Sequence, residues 1–230
     1  MDEKKNGSMQ ALMRIPTYPS IGREQFLTKL KPKLFPRELE HIETAYRFSK
    51  YGHRTQFRDG KVVRYFEHPK AVALILIDEL RITNWQTIVI ALLHDVLEDS
   101  YLLTPYRVEY NFGKLVARGV KLLTKKPKRG YFRRLLRQAT PQLILIKLCD
   151  FLHNLRTLGS CSPEKQRKQI NEAREKYLPL ADLLIKKLPA KRRWQGNYLK
   201  EKMNELCGIY EVLLKVEETK SAQKEGISNM

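Results

Sequence analysis

The feature of this sequence that most constrains its fold is a helical period of apolar residues that runs, with short interruptions, from about residue 21 to residue 188. Residues that favour helix starts stand at Pro36, at Thr83 or Asn84, and at Ser162. The apolar runs ALILI and LILIKL could form strands by themselves, but each lies inside a longer helical segment. The sequence therefore predicts an all-α bundle.

The chain of 230 residues is long enough for one sizeable hydrophobic core. Residues 1–20 are polar and broken by glycine and proline, so we expect a flexible N-terminal arm. Residues 21–188 form the predicted helical domain. Residues 189–230 form an extension that begins with a basic and aromatic stretch, continues as one helix and ends in a tail predicted to be disordered.

An excess of positive charge narrows the class of partner. Lysine and arginine number 44 against 25 acidic residues, a formal net charge of +19, which attracts polyanions. Nucleic acid, an anionic surface and a highly phosphorylated small molecule all fit this charge.

The apolar runs are shorter than the roughly 18 residues of a membrane span. The N-terminus resembles no secretory signal, and three cysteines without CxxC spacing fit a reducing compartment, so we expect a cytoplasmic protein with no membrane partner.

Four residues with metal-ligating side chains lie in the helical segments. His68 begins one predicted helix, His94 and Asp95 are neighbours on the next, and Asp150 lies within the apolar segment TPQLILIKLCDFLHNLRTL. An ionised carboxylate in such a segment costs several kcal/mol unless a cation or hydrogen-bond donors meet it. Mixed imidazole and carboxylate ligands suit manganese, iron or zinc. The alternative is that these histidines are core residues bonded to backbone carbonyls, and the residues alone leave both interpretations open.

Six blocks of the sequence resemble the hydrolase domain of RelA/SpoT proteins in order and spacing: AYRFSKYGHRTQFRDG, YFEHPKAVALIL, IALLHDVLEDS, FGKLVARGVKLLTK, LILIKLCDFLHNLRTL and EAREKYLPLA. The resemblance covers about residues 40–185. It implies a stand-alone small alarmone hydrolase, a single HD-domain helical bundle with a central metal site. The implied reaction removes the 3′-pyrophosphate of guanosine 3′,5′-bis(diphosphate), ppGpp, or of pppGpp, and releases pyrophosphate with GDP or GTP.

The resemblance also implies roles for individual residues. One divalent ion, with manganese expected, is bound by His68, His94, Asp95 and Asp150. Glu98 and Asp99 form a catalytic acidic pair that handles the attacking water and its proton; the alternative is that both merely end a helix in solvent. The implied substrate-binding residues are Arg58, Lys147, Asn154, Thr157 and Tyr177.

One residue and two segments each keep two interpretations. Lys147 is either a substrate contact or a structural residue. Residues 121–137 carry eight basic residues and no acid, which predicts either a phosphate-binding border of the pocket or a solvated cationic helix. Residues 186–202 mix basic residues with Trp194 and Tyr198, which predicts either a single-stranded nucleic acid contact or a helix that packs Trp194 on the core.

Other functions compete with ppGpp hydrolysis. The charge exceeds what a small nucleotide requires, so the pyrophosphate could lie on the 3′ end of tRNA or another RNA, as in antitoxin-type relatives. A generic HD phosphohydrolase of 5′-nucleotides is a further possibility, against which the long block around LCDFLHNLRTL argues. A non-enzymatic basic binding module is the remaining one, and the intact metal ligands and acidic pair argue against it.

Overall fold

The computed structural model describes residues 20–58, 63–99 and 103–228, without the side chains of residue 99 and residues 220–228. The predicted arm lies almost wholly outside the described residues. The described chain is helical except for connecting loops and one isolated antiparallel bridge between Phe57 and Arg64, so the predicted all-α class is confirmed. The chain divides into two compact units, residues 20–153 and residues 154–228.

The first unit holds seven helices and most of an eighth. Within it, α4 packs against α2, α3 and α6, and α8 is buried on several sides, as its apolar sequence predicts. The helices are α1 (Arg23–Thr28), α2 (Pro36–Gly52), α3 (Glu67–Leu74, continued by a π-helical turn Ile75–Glu79), α4 (Trp85–Leu93), α5 (Val96–Asp99), α6 (Pro105–Leu123), α7 (Tyr131–Gln138) and α8 (Pro141–Arg156).

The second unit consists of α9 (Pro163–Glu172), a π-helical turn (Ala173–Tyr177), α10 (Leu178–Lys187) and α11 (Arg193–Ser228). Helix α11 packs on α10, and it continues through the segment that the sequence predicts to be a disordered tail. That segment contains no proline, and alanine, glutamine, lysine and glutamate follow one another in it as AQKE, all of which favour helix. The predicted domain boundary at residue 188 does not coincide with the division of the two units, and it stays a prediction.

Two predicted helix caps are present. The Asn84 side chain accepts hydrogen bonds from the amide of Thr87 at 2.9 Å and from its hydroxyl at 2.8 Å, which begins α4. The Ser162 hydroxyl accepts from the amide of Lys165 at 3.3 Å, with Pro163 at the first position of α9. Such caps satisfy amides that have no partner within the helix.

Every helix among the described residues is too short or too polar to cross a membrane.

Candidate metal centre

The histidines and aspartates of the candidate centre come from three places in the first unit. His68 lies in the first turn of α3, Asp150 lies on α8, and His94 and Asp95 lie between α4 and α5. The sequence predicts one helix across His94 and Asp95, but the structure has a break there. Ring Nδ1 of His94 donates to the carbonyl of Ala91 at 2.7 Å, the acceptor that a continuous helix would offer to the amide of Asp95.

Three of these side chains form a buried group that could hold a metal ion. The ligand atoms of His68, His94 and Asp150 all lie within 4.8 Å of one another. Nε2 of His68 is 3.0 Å from Oδ1 of Asp150, and Nε2 of His94 is 3.9 Å from the same oxygen. Donors at such separations can share one ion at bond lengths of about 2.0–2.2 Å.

Asp95 faces the same point. Its Oδ2 is 3.2 Å from Nε2 of His94 and 3.7 Å from Nε2 of His68. The hydroxyl of Tyr65 donates to this oxygen at 2.7 Å. The structure therefore brings together all four of the predicted ligands, with Tyr65 as an additional contact that the sequence analysis missed.

The buried nitrogen of His94 indicates that a cation belongs in this group. Because Nδ1 of His94 donates to a carbonyl, Nε2 of the neutral ring carries a lone pair. Nε2 has no hydrogen-bond partner among the described residues, although the carboxylate of Asp95 lies close by. A lone pair that faces an anionic oxygen is repelled unless a positive charge lies between them. The donor set thus fits a divalent ion.

The protonation states in the centre also suit metal ligands. Burial alone would raise the pKa of Asp150, but the charge of Lys147 holds that pKa well below its ordinary value. Burial also opposes ionisation of Asp95, yet the charge that His94 carries when protonated lowers that pKa. Burial opposes protonation of His94, but Asp95 raises its pKa, so a cation at Nε2 would take the place of a proton. Burial lowers the pKa of His68 to about 4, so that ring is neutral. Ionised carboxylates and a neutral imidazole are the forms that bind a metal.

Lys147 contacts a metal-ligand candidate directly. Its side chain is 2% exposed, and its Nζ lies 2.6 Å from Oδ2 of Asp150. The ammonium thus occupies one carboxylate oxygen and leaves Oδ1 facing the histidines. This contact favours the structural interpretation of Lys147 over a substrate contact.

Glu98 lies on the short helix α5, beside the centre. Its Oε1 accepts from the amide of Lys125 at 2.6 Å, and the Lys126 ammonium donates to its carbonyl. Burial raises the pKa of Glu98, with a further contribution from the charge of Asp95. Asp99 ends this helix, and its side chain lies outside the described part of the chain.

The predicted substrate-binding residues are divided between the two units. Arg58 lies in the first unit, where its amide donates to the carbonyl of Val63 at 2.9 Å. Asn154, Thr157 and Tyr177 lie in the second unit. There the Thr157 hydroxyl donates to the carbonyl of Asn154 at 3.3 Å, and Tyr177 is buried at the end of its π-helical turn.

His153 is a further contact of the centre that was not predicted from the sequence. Its Nδ1 lies 2.8 Å from Nδ1 of His68 and 3.4 Å from Nη1 of Arg58. A signal was present, because His153 follows Asp150 by three residues and so lies on the same face of α8.

None of the eight cations of residues 121–137 forms an ion pair with a carboxylate of the described residues. In residues 186–202, which belong to the second unit, Trp194 is 41% exposed. Trp194 is thus partly exposed, and both interpretations of residues 186–202 stay predictions.

Comparisons with known proteins point to one family. A family model described as HD domain matches residues 45–184. The SpoT bifunctional (p)ppGpp synthase/hydrolase of Escherichia coli K12 is 36% identical over 159 residues, 64% of this chain and 22% of that protein. The guanosine-3′,5′-bis(diphosphate) 3′-pyrophosphohydrolase of Aquifex aeolicus is 38% identical over 173 residues, 71% of this chain and 24% of that protein. The chain thus spans about a quarter or less of these curated relatives.

A solved structure covers more of the chain. It is described as a metazoan ortholog of SpoT that hydrolyses ppGpp and plays a role in starvation responses. It superposes with a TM-score of 0.53 at 25% identity, over 83% of this chain and 96% of the solved one.

Proposed function

We propose that this chain, which belongs to the HD-domain family, is a guanosine-3′,5′-bis(diphosphate) 3′-pyrophosphohydrolase. The observation that carries the proposal is the buried group of His68, His94 and Asp150, in which a nitrogen lone pair and carboxylates converge. Relatives whose names state this reaction are 36% and 38% identical to this chain, which agrees with the chemistry of the group. The products are pyrophosphate and GDP, or GTP from pppGpp.

In the reaction, water oxygen forms a bond to the phosphorus attached to the 3′ oxygen, and the bond from that phosphorus to the 3′ oxygen breaks. His68, His94, Asp95 and Asp150 would hold a divalent cation, which would supply Lewis-acid stabilisation and acidify water. Glu98 orients the attacking water and accepts its proton, since its raised pKa makes it a stronger base than an ordinary carboxylate. Asp99 assists in returning a proton to the 3′ oxygen.

The nucleotide contacts proposed here are those that the family resemblance implies for individual residues. Arg58 contacts the base, Asn154 and Thr157 contact the ribose and phosphate, and Tyr177 lines the pocket. The cations of residues 121–137 stabilise the phosphate charge. The position of this segment beside the proposed catalytic residue supports that role, because the backbone amide of Lys125 donates to Oε1 of Glu98. Lys147 acts on Asp150 rather than on the nucleotide.

We further propose Mn²⁺ as the bound ion and the cytoplasm as the location. Two imidazoles and two carboxylates suit a borderline first-row metal better than the all-oxygen shell of calcium. Cys149, Cys161 and Cys207 form no disulfide with one another, which fits a reducing compartment.

Product analysis tests the activity. Purified protein loaded with Mn²⁺ is given ppGpp, pppGpp and a panel of 5′-nucleotides, with Asp150→Asn as the inactive control. We expect pyrophosphate and GDP or GTP from the wild type only, and no phosphate release from the 5′-nucleotides. Turnover of 5′-nucleotides instead would identify a generic phosphohydrolase. No turnover of any substrate, with unchanged function of a His94→Ala protein in cells, would indicate a non-enzymatic binding module.

A second candidate substrate is RNA that carries a 3′-pyrophosphate, for example tRNA. The cations of residues 121–137, which form no ion pair with a described carboxylate, favour it through charge, and the exposed Trp194 favours it through stacking. Wild-type protein and a Lys128→Glu/Arg129→Glu variant are titrated with tRNA at several salt concentrations. Phosphate contacts require a steep fall of affinity with salt and a shallower slope in the variant. Equal, shallow slopes would eliminate RNA as the partner of this segment.

A further inference from the structure

His68 is held on the side away from Asp150 by a second imidazole. Nδ1 of His68 and Nδ1 of His153 are 2.8 Å apart, and the two ring centroids are 4.9 Å apart. At this distance one of the two nitrogens donates a hydrogen and the other accepts it. The direction of this bond decides which nitrogen of His68 carries its proton.

Arg58 determines the direction. Its guanidinium can only donate, and Nη1 lies 3.4 Å from Nδ1 of His153. Because Arg58 donates to it, Nδ1 of His153 is an acceptor and carries no hydrogen. In the bond between the two rings, His68 must therefore be the donor. The hydrogen of the shared bond then belongs to Nδ1 of His68. A neutral imidazole carries one such hydrogen, so Nε2 of His68 keeps its lone pair.

The lone pair of His68 points where a cation is needed. Nε2 lies 3.0 Å from Oδ1 of Asp150 and 3.7 Å from Oδ2 of Asp95. The reverse tautomer would place a hydrogen on Nε2 against Asp150 and block a metal. His94 shows the same arrangement with a different partner, because its Nδ1 donates to the Ala91 carbonyl.

We propose that Arg58 and His153 are positioning residues that act in series, selecting the tautomer of His68 that presents Nε2 to the metal. This inference rests on the proposed metal site. It gives Arg58 a role in the protein without nucleotide, in addition to the base contact proposed above. The backbone supports the role: Arg58 is anchored beside the Phe57–Arg64 bridge, and His153 lies one turn beyond Asp150 on α8.

The test measures Mn²⁺ affinity in the absence of nucleotide by isothermal titration. His153→Phe keeps a ring but removes the acceptor, and Arg58→Gln removes the guanidinium. Loss of a hydrogen-bond partner of a metal ligand weakens metal binding by about 10–100-fold, and we expect that loss in both variants. His153→Asn, whose side-chain oxygen can accept from His68, should retain more affinity than His153→Phe.

Two matched controls separate this role from general effects. His41→Phe makes the same substitution at a ring that stacks on Trp85, 4.6 Å away, in the same unit. Arg54→Gln removes the same charge from an exposed side chain four residues before Arg58. Both should bind Mn²⁺ like the wild type. If the two positioning residues act in series, Arg58→Gln should cause little further loss in the His153→Phe background.

The outcomes distinguish this inference from the proposed function. Wild-type protein that binds Mn²⁺, with variants of equal affinity, overturns the inference and leaves the enzyme intact. A raised KM for ppGpp in Arg58→Gln with unchanged Mn²⁺ affinity also overturns it, since Arg58 would then act on the nucleotide alone. Wild-type protein that binds no divalent ion overturns the proposed metal site itself. If His153→Phe fails to fold, as far-ultraviolet circular dichroism would show, Arg58→Gln and His153→Asn still decide the question.

Discussion

Replacing Lys147 with methionine should destabilise the metal-free protein strongly. Lys147→Met keeps most of the aliphatic side chain but removes the ammonium that lies 2.6 Å from Oδ2 of Asp150. Both side chains are only 2% exposed, so water cannot replace the lost partner. Removal of one member of a buried ion pair costs about 3–5 kcal/mol, because the remaining charge stays buried without compensation.

The destabilisation should be smaller when a metal is bound. An ion among His68, His94 and Asp150 would supply positive charge to the same carboxylate and so compensate for the lost ammonium. A free metal concentration of 100 times the Kd adds about 2.7 kcal/mol to the stability of the folded state. Unfolding in urea, followed by circular dichroism at pH 7, is measured with EDTA and with saturating Mn²⁺. We expect the difference between Lys147→Met and wild type to be largest in EDTA.

Lys200→Met is the matched control. Its ammonium lies 2.7 Å from Oδ1 of Asp182, nearly the same distance as in the buried pair, but both side chains are more than 40% exposed. Exposed pairs contribute about 0–1 kcal/mol, so this variant should unfold almost like the wild type. If Lys147→Met and Lys200→Met unfold at the same urea concentration in EDTA, Lys147 does not compensate a buried charge, and the reasoning is refuted.

Three further predictions concern catalysis, capping and helix packing. Glu98→Gln should lower kcat by about 10²–10⁴-fold. Because the base must be ionised and burial raises its pKa, the acid limb of the wild-type pH–rate profile should lie above the ordinary carboxyl pKa of 4.5. An acid limb well below pH 4.5 would contradict the assignment of Glu98 as the base. Asn84→Ala should cost about 1 kcal/mol of unfolding free energy, with Asn84→Ser nearly neutral, as measured in urea. In α11, Gly196→Ala should be less stable than Gly208→Ala by about 1–3 kcal/mol in thermal unfolding. A Cβ at Gly196 would lie 2.6 Å from Cγ1 of Ile185, whereas a Cβ at Gly208 meets nothing within 4 Å. Equal midpoints of unfolding would show that α10 and α11 can separate without cost.

The sequence drew attention to the ligand candidates because they are chemically conspicuous, while the family resemblance implied that they form one metal site. Asp150 stands within an apolar helix, and His94 and Asp95 stand within another, so each required a partner that the local sequence does not provide. In the structure, the ligand atoms of His68, His94 and Asp150 converge to within 4.8 Å of one another. The helix starts at Asn84 and Ser162 were predictable for a similar reason, since capping depends on residues three positions apart.

What the sequence did not predict depends on contacts across space. The apolar period continues through ALLHDVLED, and only the bond from the His94 ring to the Ala91 carbonyl reveals the break between α4 and α5. Tyr65 and His153 reach the centre from a loop and from the later turns of α8, and no period encodes those approaches. The length of α11 was underestimated because its last segment is polar, although polar residues with high helix propensity can continue a helix.

The charges of the centre explain why a divalent ion and a phosphate substrate suit each other here. Asp95 and Asp150 contribute two negative charges and Lys147 contributes one positive charge, a sum of −1 for these three groups when His68 and His94 are neutral. A divalent ion changes this sum to +1. An excess positive charge in a buried centre is costly unless an anion approaches, and a pyrophosphate group brings that anion. Lys147 therefore does more than stabilise Asp150: without it the bound centre would be neutral and would attract the phosphate less strongly.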